Sequence, residues 1–368
     1  MKTSQKSIHL IAAARPNFMK IAPLYHALKK EAWAEPAIVH TGQHYDINMS
    51  DAFFADLCLP EPDVHLGVGS GTHAEQTGRV MITYEKLIMQ RRPDLAVVVG
   101  DVNSTAAAVL AAVKLGVKTA HLEAGLRSFD RNMPEEINRI VTDALADLLW
   151  TPSPDGDENL LREGVAKEKI VRVGNIMIDS LEMMRDKIVR ETAFKNYKVQ
   201  RREYGLVTLH RPANVDSPDI LKKLADLLLR ISEKLPLIFP VHPRTKKNLE
   251  SAGLYVKLKN CNSICLVEPL SYIPFMSLVF NCRIVITDSG GIQEETTYLG
   301  IPCLTLRPNT ERPITVTQGT NRLCNLENVE DNLKRVMQAK GNERRIPELW
   351  DGRTASRVVE SIRQFLSV

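Results

Sequence analysis

Three stretches place acids where a buried strand would end or a helix would begin. Gly100-Asp101 follows the apolar run 95–99, His121-Leu122-Glu123-Ala124-Gly125 closes the next, and Pro134-Glu135-Glu136 opens a helical pattern. Carboxylates gathered at strand ends can take and return protons. Asp101 also has a plain structural role as the cap of a helix starting near Ser104, and Glu135 and Glu136 as compensation for a helix dipole. Glu123 is harder to explain that way, because an unpaired charge is almost never fully buried.

A second set of residues suits an anion. Val285-Ile286-Thr287-Asp288-Ser289-Gly290-Gly291-Ile292-Gln293-Glu294-Glu295 reads as a buried strand, a tight turn and a helix. The glycines let backbone approach a ligand closely, and the first N–H groups of the helix with its positive dipole end attract negative charge. Glu295, one turn in, can reach a ribose hydroxyl. Arg15-Pro16-Asn17 with Lys20, His210-Arg211-Pro212 and His242-Pro243-Arg244 follow expected strand ends in the same way, and Arg312 in Thr310-Glu311-Arg312-Pro313 adds a fifth candidate. Each turn alone is an ordinary solvated turn, but together they point to a diphosphate. Phosphate-binding groups on one wall of a cleft and carboxylates on the other would suit acid/base work on the sugar of a nucleotide sugar.

The elements that must position these residues alternate. Short β-branched runs at 8–12, 37–40, 95–99, 118–122, 148–151 and 170–173 are separated by helical patterns such as 21–30, 75–90 and 105–115. A second series of runs follows at 205–209, 237–241, 264–267, 283–287 and 303–306, after the charged segment 185–202, which reads as a linker. This is the signature of an α/β chain built from parallel βα units. Two Rossmann-like, doubly wound domains facing a central cleft are expected, with ligands beyond the carboxyl ends of the strands. The length of 368 residues, with 44% hydrophobic and 25% charged residues, fits two cores rather than one.

Composition excludes several functions. The net charge is only +4 and the charges are scattered, which argues against nucleic acid. No apolar run reaches the roughly 20 residues of a membrane span, and the first residues resemble a signal peptide only until His9 and Arg15-Pro16 interrupt them. The six cysteines show no CxxC pair, so a reducing compartment, no zinc site and a cytoplasmic location are expected. A Walker lysine loop is absent, and the glycine-rich stretch 67–72 fails the dinucleotide fingerprint and reads as a flexible loop.

The stretches 14–23, 41–44, 121–127, 134–139, 287–295 and 310–313 together resemble, in order and over nearly the whole chain, the UDP-N-acetylglucosamine 2-epimerase family. The resemblance implies the two-domain GT-B architecture: a first domain over 1–185 carrying the carboxylates, a UDP-binding domain over 186–353, and a C-terminal helix over 354–368 returning to the first. It implies interconversion of UDP-N-acetylglucosamine and UDP-N-acetylmannosamine without metal, nicotinamide or other cofactor, and a homodimer is expected. Carried over by motif, Arg15, Lys20, Asp101, Glu123, Glu135 and His210 resemble the catalytic set. Arg15, His210, Arg211, Ser289, Gly290, Gly291, Glu295 and Arg312 resemble the UDP contacts, with Phe275 near the uracil. Gln43 and His44 match a second, allosteric sugar-nucleotide site of bacterial members, whereas 67–77 lacks that site's arginine. A hydrolysing epimerase, an epimerase of a C3- or C6-modified sugar, a GT-B glycosyltransferase and a non-catalytic sensor are the competing functions.

Overall fold

The computed structural model describes residues 5–42, 54–338 and 345–368. The chain forms two compact units, Met1–Met183 with Glu348–Val368, and Met184–Pro347.

Unit 1 holds a seven-stranded parallel sheet in the order β3-β2-β1-β4-β5-β6-β7. Its strands are β1 (Lys6–Ala12), β2 (Ala34–His40), β3 (Val64–His65), β4 (Leu95–Val99), β5 (Lys118–Leu122), β6 (Leu148–Thr151) and β7 (Ile170–Arg172). The helices are α1 (Arg15–Leu28), α2 (His73–Gln90), α3 (Asn103–Lys114), α4 (Pro134–Leu145), α5 (Pro154–Arg162) and α6 (Ile176–Glu191). Helices cover both faces of the sheet, so β4, Leu-Ala-Val-Val-Val, is buried at every position. Register pairs Leu10 with Ile38 on one side and with Val97 on the other. The strand order therefore reverses between β1 and β4, and an open sheet of this kind leaves its crevice at that point.

Local chemistry sets the helices of unit 1. Thr72 caps α2 in a reciprocal box with Glu75, so the end of the glycine-rich stretch is a helix start. Pro23 lies inside α1 and supplies no N–H to the carbonyl of Met19. Ser180 on α6 donates its hydroxyl to that carbonyl instead. The segment read as a linker begins inside α6, and the chain passes from unit 1 to unit 2 within that helix. The last helix, Thr354–Leu366, belongs to unit 1. Asp179 accepts the N–H groups of Thr354 and Ala355 at its start, and Trp150 Nε1 donates to Ser361 further along.

Unit 2 repeats the plan with six parallel strands, β8 (Gly205–Thr208), β9 (Leu237–Pro240), β10 (Ile264–Val267), β11 (Ile284–Thr287), β12 (Cys303–Leu306) and β13 (Asn321–Cys324), in the order β10-β9-β8-β11-β12-β13. The helix Pro218–Ser232 buries Leu221, Leu224, Ala225, Leu228 and Ile231, a helical-period stripe on the core. The switch point lies between β8 and β11. The two short strands β3 and β13 are additions to the strands read from the sequence. Two residues are too few to show a period, and Asn321-Arg322-Leu323-Cys324 is half polar. Among the described residues no helix is long and apolar enough to cross a membrane.

Candidate active site

At the switch point of unit 1 the chain leaves β4 through Gly100, whose φ of +67° is natural only to glycine. A Cβ there would stand 2.9 Å from Lys20 Nζ and 3.5 Å from both Asn17 Nδ2 and Glu123 Oε2. Lys20, from the second turn of α1, is ion-paired with Glu123 at the end of β5, and both are buried. Asn17 fixes the approach: its side chain accepts the N–H groups of Ala13 and Ala14 and donates to the carbonyl of Val99. Glu123 itself has φ +80°. A non-glycine residue held there stores backbone strain, a feature concentrated at functional sites.

Asp101 does not cap a helix, since α3 starts at Asn103 with Val102 before it. Its carboxylate instead takes Arg139 Nε at 3.0 Å and Nη2 at 2.9 Å, both on Oδ2. The helix that supplies Arg139, α4, has an unusual buried face made of Glu136, Arg139, Thr142 and Asp143. Buried charges must be paired to be tolerated, and each one is. Glu136 pairs with Arg139 and accepts from Ser128 N, Ser128 Oγ and Phe129 N. Asp143 joins His121 Nδ1 at 2.6 Å and Arg127 Nη1 at 2.7 Å. Burial alone would raise its pKa, but these two neighbours hold it below the ordinary aspartate value. His121 Nε2 lies 2.8 Å from the carbonyl of Gly100, so this buried chain of charges also ends on the Gly100–Asp101 turn. Glu135, next to Glu136 on the helix, points to solvent and is not brought into contact with the other acids. Arg15 opens α1 half-buried; burial lowers its pKa and the charge of Asp56 opposes that shift.

In unit 2 the chain leaves β8 into His210-Arg211-Pro212 and leaves β11 into Asp288-Ser289-Gly290. Asp288, fully buried, joins the two turns. It accepts the backbone N–H groups of His210 and Arg211 and the amide of Asn214, and stands 3.1 Å from His210 Nδ1. Arg211 Nε returns a bond to the Asp288 carbonyl at 2.9 Å. Burial again works to raise the Asp288 pKa, and the His210 contact leads the interactions that bring it below the usual value. His210 keeps 41% of its side chain exposed, so its remaining ring nitrogen can serve a ligand.

The helix Gly291–Leu299 starts at this turn, with open space where a Cβ of Gly291 would be. Ser289 Oγ makes no hydrogen bond among the described residues. A Cβ on Gly290 would come within 2.6 Å of Glu311 Oε1 and 2.8 Å of Arg312 Nη1. Arg312 thus backs the turn, paired to Glu311 at 2.6 Å and to Glu294 at 2.9 Å, and Arg307 completes the cluster on Glu311. Glu295 is turned inward to the hydroxyl of Tyr272 at 2.7 Å. Burial pushes its pKa up to about 7, against the hydrogen bond from Tyr272 and with the charge of Glu294. Phe275 lies three residues after Tyr272 on the same helix, half-buried. The third cationic turn differs: His242 caps its helix, and Arg244 is paired with Asp216. Gln43 and His44 lie outside the described residues.

Sequence reading assigned no role to Asp288, Tyr272, Asn17, Arg139 or Asp143. The legible signal for two of them was the spacing of Glu136, Arg139 and Asp143 on one helical face, a charged stripe where an apolar one belongs.

The family described as UDP-N-acetylglucosamine 2-epimerase matches residues 26–363. A UDP-N-acetylglucosamine 2-epimerase of Methanocaldococcus jannaschii is 44% identical over 337 residues, 90% of each chain. A crystal structure of the enzyme from that organism, in complex with UDP-GlcNAc and UDP, superposes with a TM-score of 0.87 at 41% identity, covering 97% of this chain and 99% of the other. The UDP-2,3-diacetamido-2,3-dideoxy-D-glucuronate 2-epimerase of Pseudomonas aeruginosa is 37% identical, over 95% of this chain and 97% of its own.

Proposed function

Because the chain belongs to the UDP-N-acetylglucosamine 2-epimerase family, we propose that it interconverts UDP-N-acetylglucosamine and UDP-N-acetylmannosamine by inversion at C2, without hydrolysis, as a cytoplasmic homodimer. The observation that carries the proposal is the strained, buried Glu123, ion-paired to Lys20 beside the Gly100–Asp101 turn.

The chemistry requires a leaving group. No carbonyl is bonded directly to C2, so removing its proton alone would leave an unstabilised carbanion. If the C1–O bond to UDP breaks as the C2–H bond breaks, the electron pair forms a C1–C2 double bond and the product is 2-acetamidoglucal. Returning a proton to the opposite face of C2 while UDP re-adds at C1 completes the epimerisation, with atoms and charge balanced. Asp101, Glu123 and Glu135 are the groups for the proton transfers, with Arg15 and Lys20 setting their charge. The turn Ser289-Gly290-Gly291, His210 and Arg211 hold the diphosphate through its departure, with Arg312 behind the turn. Phe275 lies by the uracil and Glu295 by the ribose.

The substrate could also carry substituents at C3 and C6, a second reading favoured by the Pseudomonas relative. One experiment tests both. NMR of the protein in D2O with UDP-N-acetylglucosamine should yield both UDP-sugars deuterated at C2 and only slow release of free UDP. Accumulation of free N-acetylmannosamine with UDP would establish hydrolysis instead. Inert UDP-N-acetylglucosamine alongside exchange at C2 of the diacetamido glucuronate would establish the second reading.

A further inference from the structure

The charged stripe of α4 has a consequence for one acid in particular. Consecutive residues of that helix grip Asp101 at both ends. Asn138 Nδ2 donates to its backbone carbonyl at 2.9 Å, and Arg139 places Nε and Nη2 on its carboxylate. Both arginine nitrogens land on Oδ2, while Oδ1 makes no hydrogen bond among the described residues. Arg139 is 2% exposed and its third nitrogen, Nη1, is tied to Glu136, which is 1% exposed and held by three donors of the Ser128–Phe129 turn. The guanidinium therefore has little freedom to turn, whereas the side chain of Asp101 keeps 30% exposure at its open end.

We propose that Arg139, anchored by Glu136, is the positioning residue of Asp101, fixing one carboxylate oxygen so that the other is presented to the substrate proton. The inference rests on the proposed function, in which Asp101 transfers a proton. A planar guanidinium suits the task because its fork brings Nε and Nη2 together on one oxygen and holds it, leaving the other unbonded. A lysine supplies the charge without the fork.

The test is a double-mutant cycle read on turnover and on deuterium wash-in at C2. Arg139→Met is expected to lower both by about thirtyfold, the scale of a misplaced catalytic group, with KM within about threefold of wild type. Arg139→Lys should recover part of the loss. In an Asp101→Asn background, Arg139→Met should change the residual rate by less than about twofold, because its partner is already disabled. An equal loss in both backgrounds would overturn the proposal, as would a raised KM with normal kcat, which would make Arg139 a substrate contact. Should Arg139→Met not fold, judged by thermal melting, the same cycle is read with Arg139→Lys. Absence of C2 exchange in the wild type would instead refute the proposed function. Exchange lost in Asp101→Asn but normal in the Arg139 variants would refute only the positioning role.

Discussion

The two units build their candidate sites at the same place in the same kind of sheet, yet they treat charge in opposite ways. At the switch point of unit 1 the buried charges are paired within the chain: Lys20 with Glu123, Arg139 with Asp101 and Glu136, Arg127 and His121 with Asp143. At the switch point of unit 2 the buried acid Asp288 pins the turns, while His210 stays partly exposed and the N-terminus of the helix Gly291–Leu299 opens onto unfilled space. A group that must move protons gains from rigid, prepaired surroundings, whereas a group that must receive a diphosphate has to leave its donors unspent. Under the proposed function, the proton transfers fall mainly to unit 1 and the holding of the diphosphate mainly to unit 2.

The sharpest way to break that division is to disable each side separately. Asp101→Asn, Glu123→Gln and Glu135→Gln should each lower turnover by at least about a hundredfold, the scale of a lost general acid or base. Calorimetry should find UDP affinity unchanged in all three. Loss of UDP binding in these variants would show that unit 1 also holds the nucleotide. Glu135 is the discriminating member, because it is solvent-facing and unpaired in the described chain, so a near-normal Glu135→Gln would confine the chemistry to Asp101 and Glu123.

The converse experiment removes nucleotide contacts from unit 2. Ser289→Ala combined with Glu295→Ala should weaken UDP binding by a few kcal/mol, since up to two hydrogen bonds to the ligand are lost. Gly290→Ala should weaken it as well, because its methyl would push into Glu311 and Arg312. An unchanged dissociation constant in both would place the nucleotide elsewhere.

How much of this could be read beforehand differs between the units for a physical reason. Strand runs such as 95–99 and the Ser289-Gly290-Gly291 turn announce themselves because apolar periodicity and glycine have local causes. The partners of the charges do not. Lys20 and Glu123 are 103 positions apart, and Arg139 reaches Asp101 over 38. Nothing local distinguishes Arg312, read as a phosphate contact and found backing a glycine, from an arginine that points outward. Likewise the segment 185–202 looks like a linker by composition, yet its first residues continue α6.

Acidity offers a subtler contrast. Glu295 in unit 2, raised by burial to about 7 from an unfolded value of 4.5, binds its proton more tightly when folded. The stability it contributes is complete below pH 4.5 and is lost as pH rises through 7. His9 in unit 1 is lowered by burial to about 4 from 6.5, so its folded form binds a proton less tightly and stability rises between pH 4 and 6.5. Glu295→Gln keeps an acceptor for Tyr272 and removes the titration. Urea unfolding should find the variant stabilised relative to wild type at pH 8, by on the order of 2 kcal/mol, and no such gain at pH 4.5. An equal difference at both pH values would mean that Glu295 does not titrate in this window.

The smallest effect is expected where a cationic turn already has a partner. His210 and His242 lie at neighbouring strand ends with ring centroids 5.5 Å apart, and on sequence grounds both turns were candidates for the diphosphate. The structure separates them. His210 is oriented by a buried acid that leaves its outer nitrogen open, whereas His242 caps its own helix through Arg244 N and Arg244 is committed to Asp216. Exposed pairs of that kind contribute little and are screened by salt. Arg244→Ala should therefore leave the UDP dissociation constant within about twofold of wild type at physiological salt, while His210→Ala should raise it by about tenfold or more, the loss expected for one charge-assisted hydrogen bond. Equal weakening by the two substitutions would mean that Arg244 leaves Asp216 for the ligand, and the open, unspent surface of unit 2 would extend one strand further than His210.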